Sequence, residues 1–284
     1  MEPSLATGSA EARESPAVDI VEAGIAAALT RNNRKPLVVG ICGAQGSGKT
    51  TLCKQLQERF QTAGRSVAVL SIDDLYLPAV ERQKLSQTVH PLLRTRGVPG
   101  THDVALGIDV LNALGGNEPV RMPRFDKAID DRVPVMFWHS LDAPVDLVLF
   151  EGWCVGARAQ PLDALRAPTN ELEATEDADA RWRWYVNVAL AGEYQKLFGR
   201  IDYLVLLASP GFEVVQKWRT QQEHELRELV TRTGAAATGV MSDTEIARFI
   251  QHYERLTRHI LAEMPSRADL VVHLAEDRRV VANS

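Results

Sequence analysis

The stretch GAQGSGKTT, Gly43 to Thr51, narrows the possible folds more than any other part of the chain. Gly43, Gly48, Lys49 and Thr50 satisfy the spacing G-x-x-x-x-G-K-[ST]. The apolar run KPLVVGIC before it reads as a buried strand, and TTLCKQLQERFQTAG after it reads as a helix ended by Gly64. A strand, a glycine-rich turn and a helix in that register predict a phosphate-binding loop. Backbone N–H groups of Gly43, Ala44, Gln45, Gly46, Ser47, Gly48, Lys49, Thr50 and Thr51 can line a polyphosphate, and the helix N-terminus favours its charge. Lys49 reaches the outer phosphates and the Thr50 hydroxyl is placed to ligate magnesium, so ATP and Mg²⁺ are the expected ligands.

The loop alone does not say which nucleotide machine this is. No N-K-x-D guanine-reading motif and no L-S-G-G-Q transporter signature occurs in the sequence. Further apolar runs, SVAVLSI, PVDLVLFEG and RIDYLVLLASP, are separated by helical segments. They predict an α/β fold, a mostly parallel P-loop NTPase-type sheet with helices on both faces, whose ligands bind beyond the strand carboxyl ends. ADLVVHLAEDRRVV reads as a closing strand and its tail. TRTGAAATGVMSD reads as a mobile loop between a helix over 210–230 and the helix DTEIARFIQHYERLTRHILAEM.

Acidic residues stand at the ends of two strands. SIDDLY delivers Asp73 and Asp74 to the side where the loop presents the γ-phosphate, as a base for a substrate hydroxyl or a magnesium anchor requires; a helix cap is the alternative. Asp73 is the first choice. FEG delivers Glu151 where an acid near the metal belongs, so Thr50, Glu151 and Asp73 form the candidate magnesium set. Residues 76–144 are richer in Pro, Arg and Gly and read as an inserted substrate-side region. There Arg94, Arg96, His102, Asp103, Arg124, Asp126 and Lys127 can form a pocket for a small, hydroxylated anion. Lys217 and Arg219 in QKWRTQQEHEL are candidate lid cations within a lid region, 210–240. ELEATEDADARWRW reads as an acidic surface loop entering a helix.

Composition removes other classes. Asp+Glu at 37 exceed Lys+Arg at 32, so no basic field recruits nucleic acid or an anionic membrane. Without that surplus, the Trp-rich segments RWRWYVN and QKWRTQQ read as packing. No apolar run of membrane-spanning length occurs. Cys42, Cys53 and Cys154 fit buried thiols in a reducing compartment. Residues 1–16 are polar and acid-containing, unlike a signal peptide, and read as a disordered tail before a single domain over 17–284; a cytoplasmic protein is expected.

Taken together, GAQGSGKTTL, SIDDLYLP, HPLLRTRGVPGTHD, PRFDKA, FEGW, VNVALAGEY, KWRTQQE and MSDTEIARFIQHYERL resemble the uridine kinase, phosphoribulokinase and pantothenate kinase group of P-loop kinases. Within that group the sequence is similar to the D-glycerate 3-kinase family of plants and fungi, from about residue 37 nearly to the end. The resemblance implies ATP phosphates on Gly43 to Thr50, a catalytic carboxylate at Asp73 and a metal-associated acid at Glu151. It also implies that TRGVPGTHD and PRFDK border a small acceptor, D-glycerate, with Arg124 the first choice for its carboxylate, and that Arg219 belongs to the lid. DKAIDDRVPVMFW departs from the glycine-rich continuation of the plant enzymes, and residues 167–181 stand as an addition.

Overall fold

A computed structural model describes residues 16–32, 35–233 and 241–284; within 225–233 the side chains described are those of Arg227, Glu228 and Arg232. The expected tail therefore lies outside the described residues up to position 15, and position 16 is corrected: Pro16 opens a helix, where a proline's missing N–H costs nothing. Most of the expected loop at 231–243 also lies outside them.

Helix α1 (Pro16–Arg31) buries Val18, Val21, Ile25 and Ala28, which recur at helical spacing. Strand β1 (Leu37–Gly43) is buried at every position, as suits a strand covered on both faces. α2 (Lys49–Thr62) follows the loop, and β2 (Val67–Ser71) runs into a 3₁₀ turn over Ile72–Leu75. Residues 76–144 carry α3 (Ala79–Thr88), α4 (Val104–Ala113) and four two-residue strands: β3 (Val120–Arg121), β4 (Phe125–Asp126), β5 (Asp131–Arg132) and β6 (Ser140–Leu141). β3 pairs with β6 and β4 with β5, both antiparallel.

The chain returns to the main sheet with β7 (Leu147–Gly152), crosses α5 (Glu171–Glu176), α6 (Arg181–Ala191) and α7 (Glu193–Phe198), and re-enters it as β8 (Tyr203–Ala208). α8 (Phe212–Thr233) and α9 (Asp243–Glu263) precede β9 (Leu270–Leu274) and β10 (Val280–Asn283). Ser242 and Glu245 form a reciprocal capping box that starts α9. The sheet order is β10-β9-β8-β1-β7-β2, with all neighbours parallel except β10 on β9. The expected tail after β9 is thus a hairpin strand.

Alternation divides the core into two layers. Val38, Cys42, Leu70, Val148, Phe150, Leu204 and Leu206 face α4, α7 and α9, whereas Val39, Ile41, Leu149, Val205 and Leu207 face α1, α2 and α8. All three cysteines are buried and free, and burial holds the Cys42 thiol up at about 12. Among the described residues, no helix is long and apolar enough to cross a membrane.

The acidic run near 171–177 is not a surface loop. Glu173 and Asp177 are fully buried; Arg255 pairs with Glu173 at 2.6 Å and Arg183 with Asp177 at 2.8 Å. Charges buried this deeply persist because each has its partner and further hydrogen bonds. Those partners come from α6 and α9, where composition does not reveal them.

Candidate active site

Strand register brings the carboxyl ends together. Ser71 of β2 lies beside Glu151 of β7, which lies beside Ile41 of β1, so the 3₁₀ turn bearing Asp73, the Glu151 carboxylate and the loop after Gly43 converge. β7 sits between β1 and β2, while β8 continues on the other side of β1. This reversal of strand order opens a crevice. It holds a cavity of about 430 Å³ lined by both the loop and the 76–144 region.

The loop wall is made by backbone geometry. Gly46 and Gly48 have φ of +79° and +89°, the left-handed region that residues with a Cβ enter at a cost. Gly48 caps α2 in this conformation, and Lys49 bends back so that its Nζ donates to the Ala44 carbonyl at 3.1 Å. Gln45, Gly46, Lys49 and Thr50 line the cavity.

The opposite wall is made by side chains. Asp73 is partly buried; Lys127 Nζ lies 2.6 Å from its Oδ2 and Tyr76 Oη donates to its Oδ1 at 2.8 Å. Burial pushes the Asp73 carboxyl up, but Lys127, the Tyr76 hydroxyl and the neighbouring His102 outweigh it and bring the group down to about 2. Asp74 accepts the Phe125 N–H at 3.0 Å, anchoring β4, and burial raises its carboxyl above the ordinary range. Glu151 is 6% exposed and lines the cavity, and among the described residues no hydrogen bond or ion pair engages its carboxylate. A buried carboxylate in that condition calls for a cation.

Besides Lys49, three basic residues reach the cavity, and each of these is paired to an acid: Lys127 to Asp73, Arg96 to Asp130, and Arg219 to Glu223 at 2.8 Å. Arg96 sits on a pinned segment. Tyr253 donates to its carbonyl at 3.1 Å, and Trp153 Nε1 donates to the Gly97 carbonyl at 3.0 Å.

Other expected residues do not reach it. Arg124, the first choice for the acceptor's carboxylate, is exposed and lines no part of the cavity. Asp103 caps α4, accepting the Leu106 N–H at 3.0 Å, and pairs with Arg132 at 3.1 Å. His102 is buried behind Tyr76, stacked on it at 4.5 Å, with Nδ1 2.6 Å from the Tyr194 hydroxyl. Burial lowers its pKa to about 4 against the pull of Asp73. Lys217 turns away to Glu276 at 3.0 Å, and Arg94 and Asp126 are also absent from the lining. The residues not singled out from sequence are Ser71, Tyr76, Trp153, Gln222, Phe249 and Tyr253. Most of these lie within motifs already noted, but an aromatic residue reads the same whether it lines a cavity or fills a core.

His90, Asp177 and Asp179 also cluster at metal-like spacing. The Asp177 carboxylate, however, already accepts from the backbone N–H groups of Trp182 and Arg183 and from the Arg183 guanidinium. The Nδ1 of His90 accepts the Leu92 N–H, leaving its proton on Nε2. That cluster is satisfied by the protein itself.

A kinase of Schizosaccharomyces pombe, mug58, described as uncharacterized, is 34% identical over 257 residues, covering 85% of this chain and 87% of its own. The chloroplastic D-glycerate 3-kinase of Arabidopsis thaliana is 32% identical over 267 residues, covering 87% of this chain and 55% of its own. The structure of D-glycerate 3-kinase from Cryptococcus neoformans superposes with a TM-score of 0.77 at 26% identity, covering 95% of this chain and 99% of that one. The chain belongs to the kinase family of mug58, and D-glycerate 3-kinases are among its relatives. It is a P-loop kinase, and its fold is the α/β fold of that class. A family model described as the methylmalonyl-CoA mutase-associated GTPase MeaB matches residues 9–76. That match ends at Tyr76, so it takes in the loop, α2, β2 and the turn bearing Asp73, a frame that P-loop proteins of different chemistry share, and stops where the 76–144 region begins.

Proposed function

We propose that the protein transfers the γ-phosphoryl group of ATP to the 3-hydroxyl of D-glycerate, in the cytoplasm. The observation that carries the reading is one cavity in which the phosphate loop faces a carboxylate, Asp73, flanked by the cations of Arg96 and Lys127. The activity for which the Arabidopsis and Cryptococcus relatives are named supports glycerate as the acceptor.

In this reading the loop amides and Lys49 hold the phosphates, and Arg219 meets the transferring group. Asp73 stays ionised at neutral pH and orients the acceptor hydroxyl. As its oxygen bonds to the γ-phosphorus, the bond to the β–γ bridging oxygen breaks, ADP leaves and Asp73 takes the hydroxyl proton. Arg96 and Lys127 exchange protein carboxylates for that of the acceptor, a role Arg96 can fill with two parallel N–H donors. The Thr50 hydroxyl and the unpartnered Glu151 carboxylate suit Mg²⁺, which would neutralise charge on the β- and γ-phosphates. The whole of 17–284 acts as one kinase domain, with 76–144 on the acceptor side and 210–240 as the lid. The partner is a small molecule; no nucleic acid or membrane is involved.

The test is ADP release by the purified protein with ATP and, in turn, D-glycerate, glycerol, pantothenate and uridine. Glycerate should be strongly preferred, and its product should carry phosphate on carbon 3. An equal rate with pantothenate or uridine, or phosphate on the 2-hydroxyl, would replace the acceptor assignment.

A further inference from the structure

The turn between β9 and β10 reaches from the end of the chain to the phosphate loop. Arg278 in this turn donates from Nε to the Gly46 carbonyl at 2.7 Å and from a terminal nitrogen to Gln221 Oε1 at 3.1 Å. Its guanidinium lies 5.3 Å from the centre of the Trp218 ring, and Trp218 Nε1 in turn donates to the Glu276 carbonyl at 2.6 Å. The backbone of Arg278 has a φ of +67°, a region usually left to glycine or asparagine, here occupied by a long charged residue. Strain of this kind persists where the surroundings over-determine it, and it clusters at functional sites.

The Gly46–Ser47 peptide is held from both sides. Its carbonyl accepts from Arg278, while the Ser47 N–H donates to the Ala44 carbonyl at 3.2 Å. Because the peptide unit is planar, these two bonds fix its orientation. Gly46, at φ +79°, has the freedom that allows such a unit to flip, and a flipped unit would aim a carbonyl oxygen toward bound phosphate.

We infer that Arg278 is a positioning residue that locks the Gly46–Ser47 peptide in the orientation competent for nucleotide phosphate. The inference rests on the nucleotide reading of this loop. Preorganised amides bind developing or resting anionic charge without a reorganisation cost, so loosening one peptide should weaken the polyphosphate without unfolding the chain. Arg278 touches no substrate in this account and acts through the loop.

The test is the affinity for ADP, by titration calorimetry, together with the unliganded Tm, for the parent, Arg278→Gly and Arg278→Lys. Glycine accepts φ +67° without steric cost, which offsets the lost contacts, so the Tm of Arg278→Gly should stay at the parent value. Its ADP affinity should fall about ten- to hundredfold, the scale of losing a charged hydrogen bond. Arg278→Lys keeps the charge but not the planar donors, and its ADP affinity should lie between the two. Parent-like ADP affinity in Arg278→Gly would overturn the inference. A loss of affinity matched by a lower Tm in both variants would overturn it too, by assigning Arg278 to the fold. A parent protein that fails to bind ADP would overturn the nucleotide reading itself, and this inference with it.

Discussion

The two walls of the cavity are built by different means. The nucleotide wall is backbone: an apolar strand, a turn whose glycines take left-handed angles, and a helix N-terminus. The acceptor wall is side chains on short turns, Asp73 on a 3₁₀ turn, Lys127 between β4 and β5 and Arg96 in the bend after Pro91–Arg94, and its cations already hold protein acids: Lys127 on Asp73 and Arg96 on Asp130. A backbone cradle recognises any polyphosphate, whereas a wall of paired side chains decides what else may enter. In the proposed reaction the general half belongs to the first wall and the acceptor's identity to the second.

Substitutions can break that division, and the largest effect should come from the nucleotide wall. Lys49→Ala should lower turnover by at least about 10²- to 10³-fold, the cost of removing one strong stabiliser of transferring charge, and weaken ATP binding. The fold should survive, because the Lys49 ammonium donates to the loop's own Ala44 carbonyl. Steady-state rates and a thermal melt check both. At the junction of the walls, Asp73→Asn should keep ATP affinity and lower kcat by about 10²- to 10⁴-fold through loss of the base. Asp74→Asn should do less, since an amide oxygen can still accept the Phe125 N–H.

On the acceptor wall the effects should separate by substrate. Arg96→Ala should raise the KM for D-glycerate by roughly 10- to 100-fold and leave that for ATP unchanged, as loss of a charge-assisted pair predicts. Asp130 keeps Arg82 at 3.0 Å, so the segment should hold its shape. Arg124→Ala, on an exposed residue away from the cavity, should leave both KM values at parent levels; a selective rise for glycerate would move the assignment back to Arg124.

Behind the acceptor wall the expected effect is smaller and concerns stability. Burial holds His102 and His252 down at about 4 from an ordinary 6.5. Between those values the unfolded chain binds protons that the fold does not, so stability is present above pH 6.5 and is lost as pH falls toward 4. His102→Gln should flatten that slope in urea melts, with His252 keeping part of it.

The sequence showed one wall far better than the other, for a physical reason. Glycines at fixed offsets, an apolar run and a following helix are local signals, and β1, the loop and α2 formed where they pointed. Asp73 and Glu151 stand at or just after strand ends, positions legible from the apolar runs before them, and both line the cavity. That Arg124 and His102 lie outside the cavity lining was not legible, because position within a basic segment does not say which side chains turn inward; His102 is buried behind Tyr76. The Glu173–Arg255 and Asp177–Arg183 pairs join residues remote in sequence or lying in different elements, so an acidic run read as surface. Arg278 gave no signal, since a left-handed arginine within reach of Gly46 exists only once the hairpin closes.

The most direct test of the central claim is phosphoryl transfer to D-glycerate measured side by side with glycerol, which offers the hydroxyls without the carboxylate. The account predicts rapid, glycerate-dependent ADP release, a product with phosphate on carbon 3 shown by phosphorus–proton coupling, and little turnover with glycerol. Equal rates with glycerate and glycerol, or ADP release that no acceptor stimulates, would contradict it.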